Sequence, residues 1–200
     1  MVVSRDRLLD LARESGYVTS RDAARAGVHS QAITRMVREG ELERVSAGGY
    51  RVVGAEISEH HAFVVACAAA PTGVICLLSA LTFHQIGTQL PAQLWLAIER
   101  GQRAPKLHSL VLRTVQFSGA AYQEGIESHE IDRHQVRVYS VAKTIADLFK
   151  FRNRIGVDVA VEALRESWRD RRFRMEDLER AARACRVERV LRPYIEAVTH

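Results

Sequence analysis

The side chains best suited to recognition chemistry lie on one face of a predicted helix over residues 31–39. At about 100° per residue, apolar side chains such as Ile33 and Met36 fall on the opposite face. The polar face carries donors and acceptors that can read base edges, with a cation at its far end for phosphate. The residues predicted to contact DNA from this helix are Ser30, which precedes it as a cap, and Gln31, Thr34, Arg35 and Arg38.

A predicted hairpin follows this helix. Residues 42–45 and 50–53 are rich in strand formers, and the turn between them contains two consecutive glycines. Arg44 and Arg51 occupy the two strands, where such a wing usually meets phosphate. They complete the predicted DNA-binding set.

Two short helices, the first capped by Ser20, and a tight turn must position these residues. Ala23 is small enough for two helices to touch, and Gly27 suits the turn between them. Together with a first helix that ends near Ser15, the pattern predicts a winged helix-turn-helix over residues 1–54. A protein-interaction module of the same fold stays open, because Glu39, Glu41 and Glu43 would repel phosphate if they faced it.

Composition excludes several classes of protein. The 200 residues are 47% hydrophobic and 26% charged with a net charge of +5, which is typical of a globular protein with some affinity for polyanions. No apolar run is long enough for a membrane span, and no signal-peptide core is apparent, so we expect a cytoplasmic protein. The three cysteines are scattered, which favours buried free thiols over a zinc site or disulfides. No metal and no cofactor is expected.

The sequence of the remaining residues, 55–200, predicts a second domain. Extended segments are expected at 94–99, 109–115, 126–131 and 135–139, and the pattern turns helical from Ser140 to the end. The predicted fold class is therefore α+β, with a winged helix-turn-helix followed by a mixed α/β domain that ends in several helices. A helix predicted from Glu59 would start at Ser58.

A mixed-charge face is predicted on the helix that Ser140 caps. One interpretation is a surface for a partner protein, and the other is an amphipathic helix with an exposed ion pair between positions four apart. The candidate partner-contact residues are Lys143, Asp147, Lys150 and Arg152. Further along, the arginines of residues 165–174 either add DNA contacts or form a solvated face with the interleaved acids.

Enzyme signatures are weak. The residues two before the three lysines are not acidic, which argues against a common nuclease pattern. The chain also lacks the Gly-Ser step that a nucleotidyltransferase would need. Neither the His60-His61 pair nor His129 with His134 has a clear set of metal-ligand companions. No catalytic residue is predicted, although a cryptic role for Ser79, Ser140 or Lys143 stays open.

Several short motifs along the chain carry a family resemblance. In the N-terminal part they are residues 16–28 (GYVTSRDAARAGV), 40–45 (GELERV) and 49–51 (GYR). In the C-terminal part they are residues 78–81 (LSAL), 138–152 (VYSVAKTIADLFKFR), 155–158 (IGVD) and 162–164 (EAL). With these motifs the chain resembles the AbiEi antitoxin family of type IV toxin–antitoxin and abortive-infection systems.

The resemblance implies a repressor of its own operon that binds duplex DNA, with inverted repeats as the expected operator. It also implies an antitoxin domain that counters a nucleotidyltransferase-type toxin, directly or indirectly. The alternatives are a stand-alone winged-helix regulator and a nucleic-acid-processing enzyme with a cryptic site. A toxin gene next to this one would favour the antitoxin.

Overall fold

The computed structural model describes residues 2–55, 59–107 and 110–199, with side chains from Arg5 onward. The chain divides into two compact units. The N-terminal unit comprises Met1–Pro71, Ala104–Val111 and His129–Val136, and the C-terminal unit comprises Thr72–Arg103, Leu112–Ser128 and Arg137–His200. Within the described part, no helix is both long and apolar enough to cross a bilayer. The predicted division at Gly54 stays a prediction, and Ser58 lies outside the described residues.

The N-terminal unit contains the predicted winged helix-turn-helix. Strand β3 lies between β1 and β2, and both pairings are antiparallel. The elements are α1 (Val2–Ser15), β1 (Val18–Thr19), α2 (Ser20–Arg25), α3 (Ser30–Arg38), β2 (Leu42–Ser46), β3 (Gly49–Val52) and α4 (His61–Ala69).

Local signals explain where the two helices of the motif begin. Thr19, one residue before the predicted cap, forms a capping box with Asp22 at the start of α2. His29, rather than Ser30, precedes α3. Between the helices Gly27 has a φ of 76°, a left-handed conformation that glycine adopts without a Cβ penalty. The apolar sides of the helices then meet in a small core of Leu8, Ala12, Val18, Ala23, Val28, Ile33, Met36 and Leu42.

A buried polar contact fixes the turn end of the wing. The Tyr17 and Ser46 hydroxyl oxygens lie 2.8 Å apart, and both side chains are almost wholly buried. Gly49 lies against them so closely that a Cβ at this position would overlap the Tyr17 hydroxyl. The wing therefore requires glycine at the first residue of β3 because the space of a side chain is already occupied.

The predicted mixed sheet is present, with strand order β6-β5-β4-β8-β7. Strand β4 is antiparallel to β5 and parallel to β8, while β5 and β6 are parallel. The α+β class is thus confirmed. The elements are β4 (Val74–Ile75), α5 (Leu77–His84), β5 (Leu94–Glu99), β6 (Leu112–Phe117), α6 (Ala120–Gln123), β7 (Ile126–Ile131) and β8 (His134–Tyr139).

Five helices complete the C-terminal unit, and the first of them is at its centre. Ser140 caps α7 by accepting a hydrogen bond from the Lys143 backbone N–H. Helix α7 packs against α5, α9, α10 and α11, and every residue from 141 to 149 is buried. The helices are α7 (Val141–Lys150), α8 (Arg152–Ile155), α9 (Val157–Arg169), α10 (Met175–Cys185) and α11 (Glu188–Thr199).

Candidate nucleic-acid interface

Helix α3 presents a polar face to solvent, as the residue spacing predicts. Ile33 and Met36 are 3% and 1% exposed and hold the helix against the core of the unit. An open cavity of about 580 Å³ lies along the helix. The exposed residues of α3 include all five that were predicted to contact DNA: Ser30, Gln31, Thr34, Arg35 and Arg38.

Two of these side chains already have contacts within the helix. The Thr34 hydroxyl donates to the Ser30 carbonyl at 3.1 Å, which leaves its oxygen able to accept. The Arg35 Nε lies 3.9 Å from a Glu39 carboxylate oxygen, and both side chains are nearly half exposed. This pair is weak because water screens it, so a better ligand can take Arg35 from Glu39.

The acids that follow α3 are paired with arginines. Glu41 accepts hydrogen bonds from Arg5 of α1, and Glu43 accepts one from the Arg51 Nε at 2.5 Å. Their repulsion of phosphate is therefore reduced. Sequence reasoning missed Arg5, because no local pattern links a residue of α1 to one 36 positions later.

The two wing arginines differ in their surroundings. Arg44 is exposed, with its guanidinium carbon 5.9 Å from the centroid of the Tyr50 ring. The Arg51 side chain is only 23% exposed and is held by Glu43. Arg44 is thus the better placed of the two for a phosphate contact, and Arg51 is better placed to hold the wing together.

His61 of α4 is a titratable neighbour of the wing. Helix α4 packs against β2 and β3. Burial, followed by the positive charge of Arg51, lowers the pKa of His61 below its usual value. His61 is therefore held neutral in the folded unit over part of the mildly acidic range.

The candidate partner surface on α7 requires a correction. Lys143 and Asp147 do pair at i,i+4, with Nζ and Oδ2 2.6 Å apart, but both side chains are 0% exposed. The prediction that they lie on an exposed face is wrong, because α7 is surrounded by other helices. Lys150 is exposed, and Arg152 is half-buried and donates to the Phe149 carbonyl at 2.8 Å.

The buried pair has a polar and aromatic surround of its own. The Cys185 thiol donates to the other Asp147 oxygen at 3.2 Å, and the Lys143 Nζ lies 4.0 Å from the centroid of the Tyr139 ring. Burial raises the pKa of Asp147, against the opposing charge of Lys143. Burial also raises the pKa of Cys185 to about 12, so this thiol is a poor nucleophile.

Two of the residues left open for catalysis have structural roles. The buried Ser79 hydroxyl oxygen accepts from the Trp95 backbone N–H at 2.9 Å, and Ser140 caps α7. All three cysteines are buried thiols outside any disulfide, as their spacing predicts. Over the described ranges, no group of three or more potential metal ligands comes together.

The region that contains α3 and the wing also matches a known protein family. Residues 6–53 match the model of a family described as "Transcriptional regulator, AbiEi antitoxin". The predicted AbiEi family is confirmed over these residues. The AbiEi-type region therefore comprises α1 to β3, and the family to which it points is one of DNA-binding transcriptional regulators and antitoxins.

A solved structure extends the comparison beyond the AbiEi-type region, for the fold alone. The RV2827C protein from Mycobacterium tuberculosis superposes with a TM-score of 0.56 and 16% sequence identity. The match covers 82% of this chain and 65% of that one, so this chain spans slightly less than two thirds of its length. No curated protein matches the sequence significantly.

Proposed function

We propose that the protein is a transcriptional repressor that binds duplex DNA in its own promoter. The observation that carries this proposal is the exposed polar face of α3, which lies opposite a buried apolar face and is followed by a wing with an exposed arginine. In such motifs the second helix enters the major groove, and its side chains reach base edges. Such a repressor would act in the cytoplasm.

The contacts assign different roles to the two kinds of arginine. Arg35, held only loosely by Glu39, is proposed to read a base edge. Its replacement by alanine should cost about 1–3 kcal/mol of discrimination against altered operators. Arg44 is proposed to contact phosphate, so its replacement should weaken binding to all sequences and reduce the salt slope by about one unit.

Fluorescence anisotropy with the promoter fragment and a scrambled duplex, over a series of salt concentrations, tests this assignment. Arg192→Ala is the matched control for Arg35→Ala, because Arg192 also pairs with a glutamate four residues on and is largely exposed. It should leave both affinities unchanged. Failure of the wild-type protein to bind its promoter fragment at low salt would overturn the proposed function.

We further propose that the protein is the antitoxin partner of a nucleotidyltransferase-type toxin encoded beside it. The support is the description of the matching family, which names antitoxins as well as regulators. Lys143 and Asp147 cannot form the contact surface while they are buried, so the proposal rests on other residues of the C-terminal unit. Arg44→Ala in the full chain should weaken repression and leave growth protection by the co-expressed protein intact.

This experiment uses point variants because the N-terminal unit takes segments from beyond residue 54. A deletion of residues 1–54 would leave those segments without their neighbours. Loss of protection in a soluble Arg44→Ala variant would place antitoxin activity in the DNA-binding surface instead. An isolated gene with no toxin neighbour would favour a stand-alone regulator.

A further inference from the structure

The turn between α9 and α10 has an arginine in a left-handed conformation, at a position where glycine is more common. The Arg172 backbone N–H donates to the Ser167 carbonyl at 2.9 Å, and the Arg171 N–H donates to the Trp168 carbonyl at 3.1 Å. These two bonds form a Schellman motif, whose left-handed residue is usually glycine. Here that residue is Arg171, with a φ of 54°. A glycine would fit at this position with less strain.

The side chain of Arg171 has no polar partner among the described residues. It is exposed, and within the described part of the chain it makes no ion pair or side-chain hydrogen bond; the same holds for Arg174. Their neighbours differ, since Arg169 bonds Asp170 at 2.8 Å and Arg172 donates to the His84 carbonyl at 3.0 Å. Arg171 and Arg174 are therefore two exposed cations that are available to a ligand.

Aromatic rings lie beside these guanidinium groups. Trp168 packs on Phe173 with ring centroids 6.0 Å apart and planes at 44°. Phe173 packs against the apolar core of the unit, whereas the half-buried Trp168 is not part of the described core. Both rings, Arg171 and Arg174 line an open cavity of about 690 Å³, and among the described residues that line it the cations outnumber the one acid, Glu176. A partly solvated tryptophan next to cations is common at binding surfaces.

We propose that this corner, residues 168–176, binds a single-stranded polynucleotide. Arg171 and Arg174 pair with successive phosphates, and a base stacks on Trp168. Single-strand sites combine cations that follow the backbone with aromatic rings on which any base can stack. Because the two rings are inclined, a base stacks on one ring and does not enter between them. An acidic peptide would satisfy the arginines but leave the aromatic rings unexplained.

The test uses the full chain and labelled single-stranded 12-mers of RNA and of DNA with one sequence. At low salt the wild-type protein should bind by fluorescence anisotropy and lose tryptophan fluorescence. Trp95 is only 5% exposed, so that quenching reports on Trp168, the second tryptophan of the chain. Arg171→Gly and Arg174→Gln should each weaken binding about fivefold or more and reduce the salt slope by about 0.7. A preference for RNA or DNA identifies the source of the strand.

Arg171→Gly has a built-in test of folding, because glycine relieves the left-handed strain and Tm should equal or exceed the wild-type value. Arg186→Gly is its matched control. Arg186 is also exposed and left-handed, with a φ of 59°, and ends α10 with the same pair of backbone bonds. It should leave binding within about twofold of wild type.

Three results would overturn the proposal. One is an Arg186→Gly variant that binds as weakly as Arg171→Gly, which would indicate general electrostatic attraction. Another is binding without quenching, which would mean that no base reaches Trp168. The third is stronger binding of the same surface to a duplex or to a poly-glutamate peptide than to either single strand.

Discussion

Replacing Lys143 by methionine should destabilise the C-terminal unit strongly. The substitution keeps an unbranched apolar side chain, one atom shorter than lysine, but leaves the Asp147 carboxylate buried without its cation. Removing one partner of a buried ion pair costs about 3–5 kcal/mol, whereas an exposed i,i+4 pair is worth about 0.3–0.5 kcal/mol. The complete exclusion of both side chains from solvent therefore predicts an effect about ten times that of a surface pair.

Removing both charges should be far less harmful than removing one. The double variant Lys143→Met/Asp147→Leu replaces the pair by apolar groups, which is often neutral or stabilising by about 1–4 kcal/mol. Cys185 then loses its acceptor, but a thiol is a weak donor and the cost is small. Each single variant should consequently unfold more easily than the double variant.

Thermal and urea unfolding followed by circular dichroism measure this difference. At about 2–4 °C per kcal/mol for a chain of this size, the single variant should lower Tm by about 6–20 °C. Arg192→Met is the matched control, since Arg192 pairs with Glu196 at the same spacing on the exposed side of α11 and should lose less than about 0.5 kcal/mol. If Lys143→Met costs no more than this control, the argument from burial is wrong.

Three other perturbations test the N-terminal unit. Because the folded-state pKa of His61 is lowered, its contribution to stability is present above a pH of about 6.5 and decreases as pH falls towards the folded-state pKa. His61→Gln should remove that part of the pH dependence of Tm, and an unchanged dependence would contradict the assignment. Gly49→Ala should cost about 1–3 kcal/mol by overpacking in denaturant titrations, because the added Cβ would overlap the Tyr17 hydroxyl, the ring carbon that bears it and the Ser46 hydroxyl. Tyr17→Phe in the same chain should restore only a small part of the loss, since the ring carbon and Ser46 remain; full restoration would contradict the overlap with these two groups. Glu39→Gln should release Arg35 and raise affinity for unrelated duplexes by about twofold in anisotropy titrations. The ratio of promoter affinity to unrelated-duplex affinity should then be smaller than in the wild-type protein, and an unchanged ratio would show that Glu39 does not restrain Arg35.

The recognition helix and the wing were predictable because their signals are local. Period 3.6 separates Ile33 and Met36 from the polar face of α3, and Gly27 is needed by the turn before it. The caps were misplaced by one residue, since Thr19 and Ser20 are both good caps and only the capping box with Asp22 decides between them. The assignment of these residues to DNA contacts stays a prediction.

The surroundings of α7 could not be read from its own sequence. Its apolar face is clear in the pattern, and Ser140 was correctly predicted as its cap. However, four helices pack around α7, and periodicity within one helix does not reveal how many neighbours cover its polar side. Lys143 and Asp147 therefore looked like surface residues, although tertiary packing buries them as a pair.

The N-terminal unit is built from three separate segments of the chain, which has a consequence for biosynthesis. His134 contacts the Tyr17 carbonyl oxygen through its Nε2 at 2.8 Å, and Arg133 pairs with Glu14 of α1. Both partners of the early residues lie in His129–Val136, which the ribosome adds only after more than half of the chain. Because domains generally fold as units during synthesis, a nascent chain can form the helix-turn-helix long before the unit that contains it is complete. Pausing of translation before residue 129 would prolong that incomplete state.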